Sequence, residues 1–356
     1  MVFSSMKLAL AICAAGGLVG ASPSNKPAPK DTFSPSHWPL PHNVTGDTNG
    51  WGGVHLHDPA IVKGPNGYYY SFSTHDLVTI GRSRSLDGYW KHLGSVLHGE
   101  STIDLPGRND TWAPDVHKVG DTYYLYYSVS TFGSQNSGIG LATSKTLEPG
   151  TWTDHGLVLE SSNSTAGPIP NNVTNAIDPN LFIDPKTSKA WMTYGSFFGD
   201  LWQFALSKDL KKVEYDPTPL QLSYDPVAPN PEEGSYISHH DDWYYLWFSH
   251  GTCCGFNTTL PAPGDEYSIR LGRSKSPQGP FVDMNGTDLV NGGGYIVYGS
   301  HGLVYGPGGQ GVLTDVHGRD VLYYHYFNKY ISLVDEDCLL GWDYIEYVNG
   351  WPVLVY

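Results

Sequence analysis

One pattern recurs five times along this chain, and any fold it adopts has to accommodate all five copies. A cluster of aromatic and β-branched residues ending in small polar residues appears as GYYYSFSTH from Gly67, DTYYLYYSVS from Asp121, KAWMTYGSF from Lys189, DWYYLWFSHG from Asp242 and DVLYYHYFN from Asp320. A short apolar segment precedes each: DPAIV from Asp58, APDVH from Ala113, DPNLFID from Asp178, EGSYI from Glu233 and GQGVL from Gly309. A third element follows several copies, as IGRSRSLDGYW from Ile80, IGLATSKTLEPGTW from Ile139 and IRLGRSKSPQGPF from Ile269. Such runs, bounded by Gly, Pro, Asn and Asp, read as strands. Openings at 58, 115, 178, 233 and 310 give units of 55 to 77 residues. Three or four strands per unit, repeated five times, match the blades of a propeller. The expected fold class is all-β, a five-bladed β-propeller catalytic domain over residues 48–356. A β-sandwich also has short strands and regular turns, but not this repeat.

The composition narrows the partners. With 35 acidic and 20 basic residues the chain carries a formal charge of -15, which argues against nucleic acid or an anionic membrane, since both call for clustered Lys and Arg. The 12 Phe, 11 Trp and 25 Tyr can fill a core and still line a cleft. Residues 1–21 read as a secretory signal peptide, with Lys7, an apolar run from Leu8 to Val19 and small residues at Val19, Gly20 and Ala21. Residues 22–47 read as an unstructured Pro/Ser-rich leader. Six Asn-x-Ser/Thr sites, at Asn43, Asn109, Asn163, Asn172, Asn257 and Asn285, then become candidates for glycosylation. The expectation is a secreted, extracellular glycoprotein, monomeric by default. Cys253 and Cys254 are adjacent, so they form either a vicinal disulfide, leaving Cys338 free, or separate thiols; no Cys/His spacing resembles a zinc site.

The propeller gives the acids at the openings a meaning. First strands line the central channel, so Asp58, Asp178 and Glu233 converge on one axis although 120 and 55 residues separate them in sequence. Glycoside hydrolysis needs one carboxylic acid to protonate the leaving oxygen and one carboxylate to activate water or attack. A third acid raises the pKa of the donor. Taken singly, Asp58-Pro59 and Asp178-Pro179 are ordinary turn openers, and Glu233 is a solvated strand end. All three at one repeat phase are harder to explain as turns.

The chain resembles glycoside hydrolase family 43, and most closely its endo-acting arabinanases. The residues that carry the resemblance are HDPAI from His57, WAPDVH from Trp112, SVSTFG from Ser128, NAIDP from Asn175, YGSFFGD from Tyr194, EGSYI from Glu233 with WYYLWFSHGTCC after it, and GWPV from Gly350. Together they span residues 50–355. The resemblance implies a secreted hydrolase that cleaves internal α-1,5-L-arabinofuranosidic bonds of arabinan, in pectin side chains, with inversion. It implies Asp58 as the base and Glu233 as the acid, with Asp178 tuning the acid's pKa. Glu232 is a rival for the acid, which alignment on the Tyr-Ile strand disfavours. Inversion puts base and acid roughly 6.5–9.5 Å apart. Implied substrate contacts are Trp112, Phe132, Gly133, Asn175, Ala176, Ile177, Ser196, Phe197 and Phe198, the last where several relatives carry Trp. Core packing is the competing explanation for each aromatic.

A calcium ion on the axis, largely water-coordinated near His325, is also implied, with no organic cofactor. Where similar chains have Gly-His-Asn, this one has Gly309-Gln310-Gly311. Gln310 could still orient a water there, but it cannot titrate. Two alternatives stay open. An exo-acting relative, an arabinofuranosidase or β-xylosidase, would need a blocked cleft; many such relatives carry a β-sandwich after the propeller, and this chain ends at the fifth blade. A non-catalytic sugar-binding propeller would repeat one motif in every blade, whereas Asp58, Asp115, Asp178, Glu233 and Gln310 differ.

Overall fold

A computed structural model describes residues 38–47 and 54–356; the expected signal peptide and residues 22–37 of the leader lie outside the described residues. Five antiparallel sheets follow one another along the chain. Blade one comprises β2 (Ala60–Lys63), β3 (Tyr69–Ser73), β4 (Thr79–Ser83) and β5 (Tyr89–Ser95), with a short β1 (Thr45–Gly46) parallel to its outer edge. Blade two is β6 (Trp112–Val119), β7 (Thr122–Val129), β8 (Ser137–Ser144) and β9 (Thr153–Ser161). Blade three runs through β10 (Asn180–Ile183), β11 (Ala190–Tyr194), β12 (Leu201–Leu206), β13 (Val213–Glu214) and β14 (Leu220–Ser223). Blade four has β15 (Glu232–His240), β16 (Trp243–His250), β17 (Ser268–Ser274) and β18 (Tyr295–Tyr298). Blade five has β19 (Val304–Thr314), β20 (Asp320–Asn328), β21 (Leu339–Val348) and β22 (Trp351–Val355). The chain is a five-bladed β-propeller.

The second strands read as unbroken apolar runs because each sheet is covered on both faces. Successive side chains point to opposite faces, so Leu125 and Tyr127 of β7 join the core shared with blade one while Tyr126 joins the core shared with blade three. Trp247 and Tyr324 fill the space between blades four and five, and Tyr69, Trp90, Tyr323 and Trp342 that between five and one.

The ring closes through the N-terminal side of the domain. Val54 and Leu56 exchange backbone hydrogen bonds with Leu340 (2.8 Å) and Cys338 (3.2 Å) at the start of β21. Residues 38–47, expected to be unstructured, instead cross this seam. Pro39 C=O accepts from the Tyr298 hydroxyl at 2.9 Å, His42 stacks on Trp342 at 3.7 Å, and Thr45–Gly46 form β1. Aromatic anchors override a local Pro/Ser-rich composition. Cys253 and Cys254 form a disulfide, and Cys338 is a buried free thiol. Among the described residues no helix is long and apolar enough to cross a membrane.

Candidate active site

Each blade meets the axis through one residue with positive φ: Asp58 (47°), Ala113 (40°), Asp178 (55°), Gly234 (60°) and Gly309 (56°). Glycine adopts this conformation freely; the other three carry strain of roughly 1–2 kcal/mol each, as residues at functional sites often do. The five bends line one axial cavity. They also correct the expected phase: Asp58 and Asp178 are bend residues, but Glu233 precedes its bend by one residue, and Asp115 and Gln310 lie beyond theirs.

The bends interrupt the ladder between first and second strands, so each bend N–H needs another acceptor. A side chain of the preceding blade supplies it. Thr74 Oγ1 accepts from Ala113 N–H (2.8 Å), Ser128 Oγ from Asp178 N–H (3.1 Å), Ser249 Oγ from Gly309 N–H (3.0 Å) and His325 Nδ1 from Asp58 N–H (3.1 Å). All four acceptors sit at one position, opposite the residue before their own blade's bend. In blade three that position is Gly195, whose N–H donates to Ile177 C=O at 3.0 Å. It has φ of 123°, and a Cβ there would lie 2.0 Å from Asp200 C=O. No side chain fits, and the Gly234 N–H goes instead to Asp178 Oδ2 at 3.0 Å.

The three carboxyls differ in environment. Burial works to raise the Asp58 carboxyl, yet its neighbours His57 and His325 and the Thr74 hydroxyl, which donates to Oδ2 at 2.8 Å, hold it below the ordinary range. Burial lowers His57 to about 4, so that imidazole is uncharged at neutral pH. Glu233 is pushed up to about 7 by burial and by the Asp58 charge, against the Tyr267 hydroxyl that donates to Oε1 at 2.8 Å. Burial, then the charges of Glu233 and Asp58, raise Asp178 well above its usual value; the Gly234 N–H offsets part of this. Glu232 is fully buried beside Asp200, Asp225 and Arg270, whereas Glu233 is only partly buried and directly precedes Gly234 of the cavity lining.

Strand one begins and strand two ends at the same end of the propeller, which gathers the expected substrate contacts there. Trp112, half-buried, precedes the Ala113 bend. Phe132 is 84% exposed on the β7–β8 loop, beside Gly133, and Phe198 is 40% exposed on the β11–β12 loop, beside half-buried Phe197. Asn175 and Ser196 are buried and joined, Nδ2 donating to Oγ at 3.0 Å. Ile177 is buried as well. Ala176 departs from expectation: it is 0% exposed in the core between blades two and three, and its N–H donates to Ser161 Oγ. It shapes the loop and presents no side chain to a ligand. Thr74, Ser128 and Tyr267 were missed, although the small polar endings of the aromatic clusters marked the first two.

His57, Asp58 and His325 place candidate ligand atoms within 4.8 Å of one another. Because Nδ1 of His325 accepts the Asp58 N–H, the ring proton sits on Nε2, which is buried and without a partner among the described residues. Calcium takes oxygen ligands. A protonated Nε2 is a donor and cannot bind a cation directly, so of these three residues only Asp58 offers oxygen ligands.

A carboxyl held ionised in the lining of the axial cavity, and another raised to about 7 on the residue just before the cavity-lining Gly234, form an acid–base site of the kind that cleaves glycosidic bonds. The model for the glycosyl hydrolases family 43 matches residues 52–352, and the chain belongs to that family. It is 47% identical over 301 residues to the probable arabinan endo-1,5-alpha-L-arabinosidase A of Aspergillus flavus, covering 85% of this chain and 91% of that one. Among solved structures, an exo-1,5-alpha-L-arabinanase from a bovine ruminal metagenomic library superposes with a TM-score of 0.75 at 30% identity, covering 87% of this chain and all of that one. The Cellvibrio cellulosa alpha-L-arabinanase complexed with arabinohexaose gives 0.73 at 28% identity, over 85% and 96% of the two chains.

Proposed function

We propose that the chain is a secreted arabinanase that cuts internal α-1,5 bonds of arabinan with inversion. The observation that carries this reading is the convergence on one axis of Asp58, Asp178 and the strand end that bears Glu233, with Asp58 tuned downward and Glu233 raised to about 7. Asp58 takes a proton from water as its oxygen attacks the anomeric carbon. The bond to the leaving oxygen breaks, and Glu233 gives that oxygen its proton. Solvent then restores both carboxyls. Asp178, through Gly234 N–H, holds the strand end that carries Glu233. Trp112, Phe132, Phe197 and Phe198 offer faces for furanose rings.

A hydrated calcium ion near His325 and Asp58 would add positive charge that favours the ionised Asp58 carboxylate. Secretion, a monomeric state and glycans on the exposed Asn43, Asn109, Asn163, Asn257 and Asn285 complete the reading; Asn172 is half-buried. Relatives named for arabinan and a neighbour complexed with arabinohexaose support the substrate.

The exo-named neighbour keeps an exo-acting reading open, and product size separates the two. On linear arabinan, early release of mixed oligosaccharides by the wild type and none by Glu233→Ala supports endo cleavage. Release of monosaccharide alone moves the chain to exo action, and inertness toward arabinan overturns the substrate.

A further inference from the structure

The bend that follows Glu233 lacks the anchor the other four share, and a second side chain compensates. The ladder between β15 and β16 is interrupted between Glu233 and Tyr236, which frees both polar groups of Gly234. Asp178 Oδ2 takes the N–H; Gln310 Nε2 donates to the C=O at 2.6 Å. Gln310 is 5% exposed, and its Oε1 accepts from Ser249 Oγ at 2.8 Å. That same Ser249 Oγ accepts the Gly309 N–H and lies opposite Glu233 in the register. Both ends of the amide are thus engaged by protein. A carboxylate could accept the Ser249 proton but has none to give the Gly234 C=O, whereas a primary amide accepts at one end and donates at the other.

We propose that Gln310 is a positioning residue of the hydrolytic reaction: by clamping Gly234 C=O across the junction of blades four and five, it fixes where Glu233 presents its proton. The inference rests on Glu233 being the acid. Glu233 is faced by Asp58 of blade one, Asp178 of blade three, Tyr267 of its own blade and, stacked on Tyr267, His325 of blade five. None of these contacts the Gly234 C=O in the way Gln310 does.

Gln310→Met keeps the length and removes both hydrogen bonds. A shift of the acid on the order of 1 Å costs about 10- to 100-fold in rate, so kcat on linear arabinan should fall by that factor with KM within about twofold. A dinitrophenyl arabinobioside, whose leaving group needs no proton, should lose less than about threefold. A merely structural role lowers both substrates equally, and that result, or no loss on arabinan, overturns the proposal. If Gln310→Met melts too early to assay, Gln310→Glu keeps an acceptor for Ser249 but has no proton for Gly234 C=O, and must show the same selectivity; equal losses there also overturn it. Glu233→Gln, run alongside, separates the two layers. Non-selective loss in Glu233→Gln removes the acid assignment and the proposal together, whereas selective loss there with non-selective loss in Gln310→Met removes only the proposal.

Discussion

Four of the junctions around the axis are held alike, and the one between blades three and four is not. At the four, Thr74, Ser128, Ser249 and His325 reach from a second strand to the next blade's bend. At the third, the backbone turn from Gly195 to Asp200 leaves no space for a side chain, and Asp178 takes over. The acid sits on that junction. Its position depends on a carboxyl of the reaction site, Asp178, whereas at the other junctions the bend N–H is held by a hydroxyl or an imidazole. The contrast also gives His325 a structural role alongside any part it has near an ion.

Substitutions at the two kinds of junction should therefore fail in different ways. Asp178→Ala removes the acceptor for Gly234 N–H, and activity on arabinan should drop by about 10²-fold, while Asp178→Asn keeps an acceptor oxygen and should lose roughly tenfold less. Equal losses would mean that Asp178 acts by charge alone and not as an anchor. At an ordinary junction the stronger signal is stability. His325→Ala leaves the Asp58 N–H buried and unpaired and should cost about 2–3 kcal/mol in denaturant unfolding. Ser128→Ala, which removes one hydroxyl, should cost about 1 kcal/mol. If Ser128→Ala destabilised as much as His325→Ala, the anchors would not be ranked by the packing they bring.

Most of the fold was legible because the repeat states it: five aromatic clusters, each buried on both faces, need five sheets. The seam was not, since nothing in residues 38–47 announces that Trp38 and His42 find aromatic partners about 260 to 300 positions later. The sequence named three acids that the fold brings toward one axis, but put Glu233 in the wrong phase. Asp58 and Asp178 share an Asp-Pro motif, which invites Glu233 into the same place; the backbone position they occupy is one that Gly234 fills in blade four, and glycine there was the available clue. Ala176 matched a motif in sequence while its burial is a property of two blades meeting. The hydrogen bonds between blades, including those of Gln310 and Thr74, join residues no local pattern connects.

For hydrolysis by this site Glu233 must hold a proton while Asp58 must not. Glu233 is raised to about 7 and Asp58 lowered, so kcat/KM on arabinan should be level through mildly acidic pH. It should then fall about tenfold per unit as pH rises past 7 and Glu233 ionises. The most direct measurement is that profile for the wild type and for Glu233→Gln. The account predicts an alkaline limb near pH 7 that disappears in the variant, leaving a low, flat rate; a limb that survives in Glu233→Gln would contradict it and assign the proton to another group.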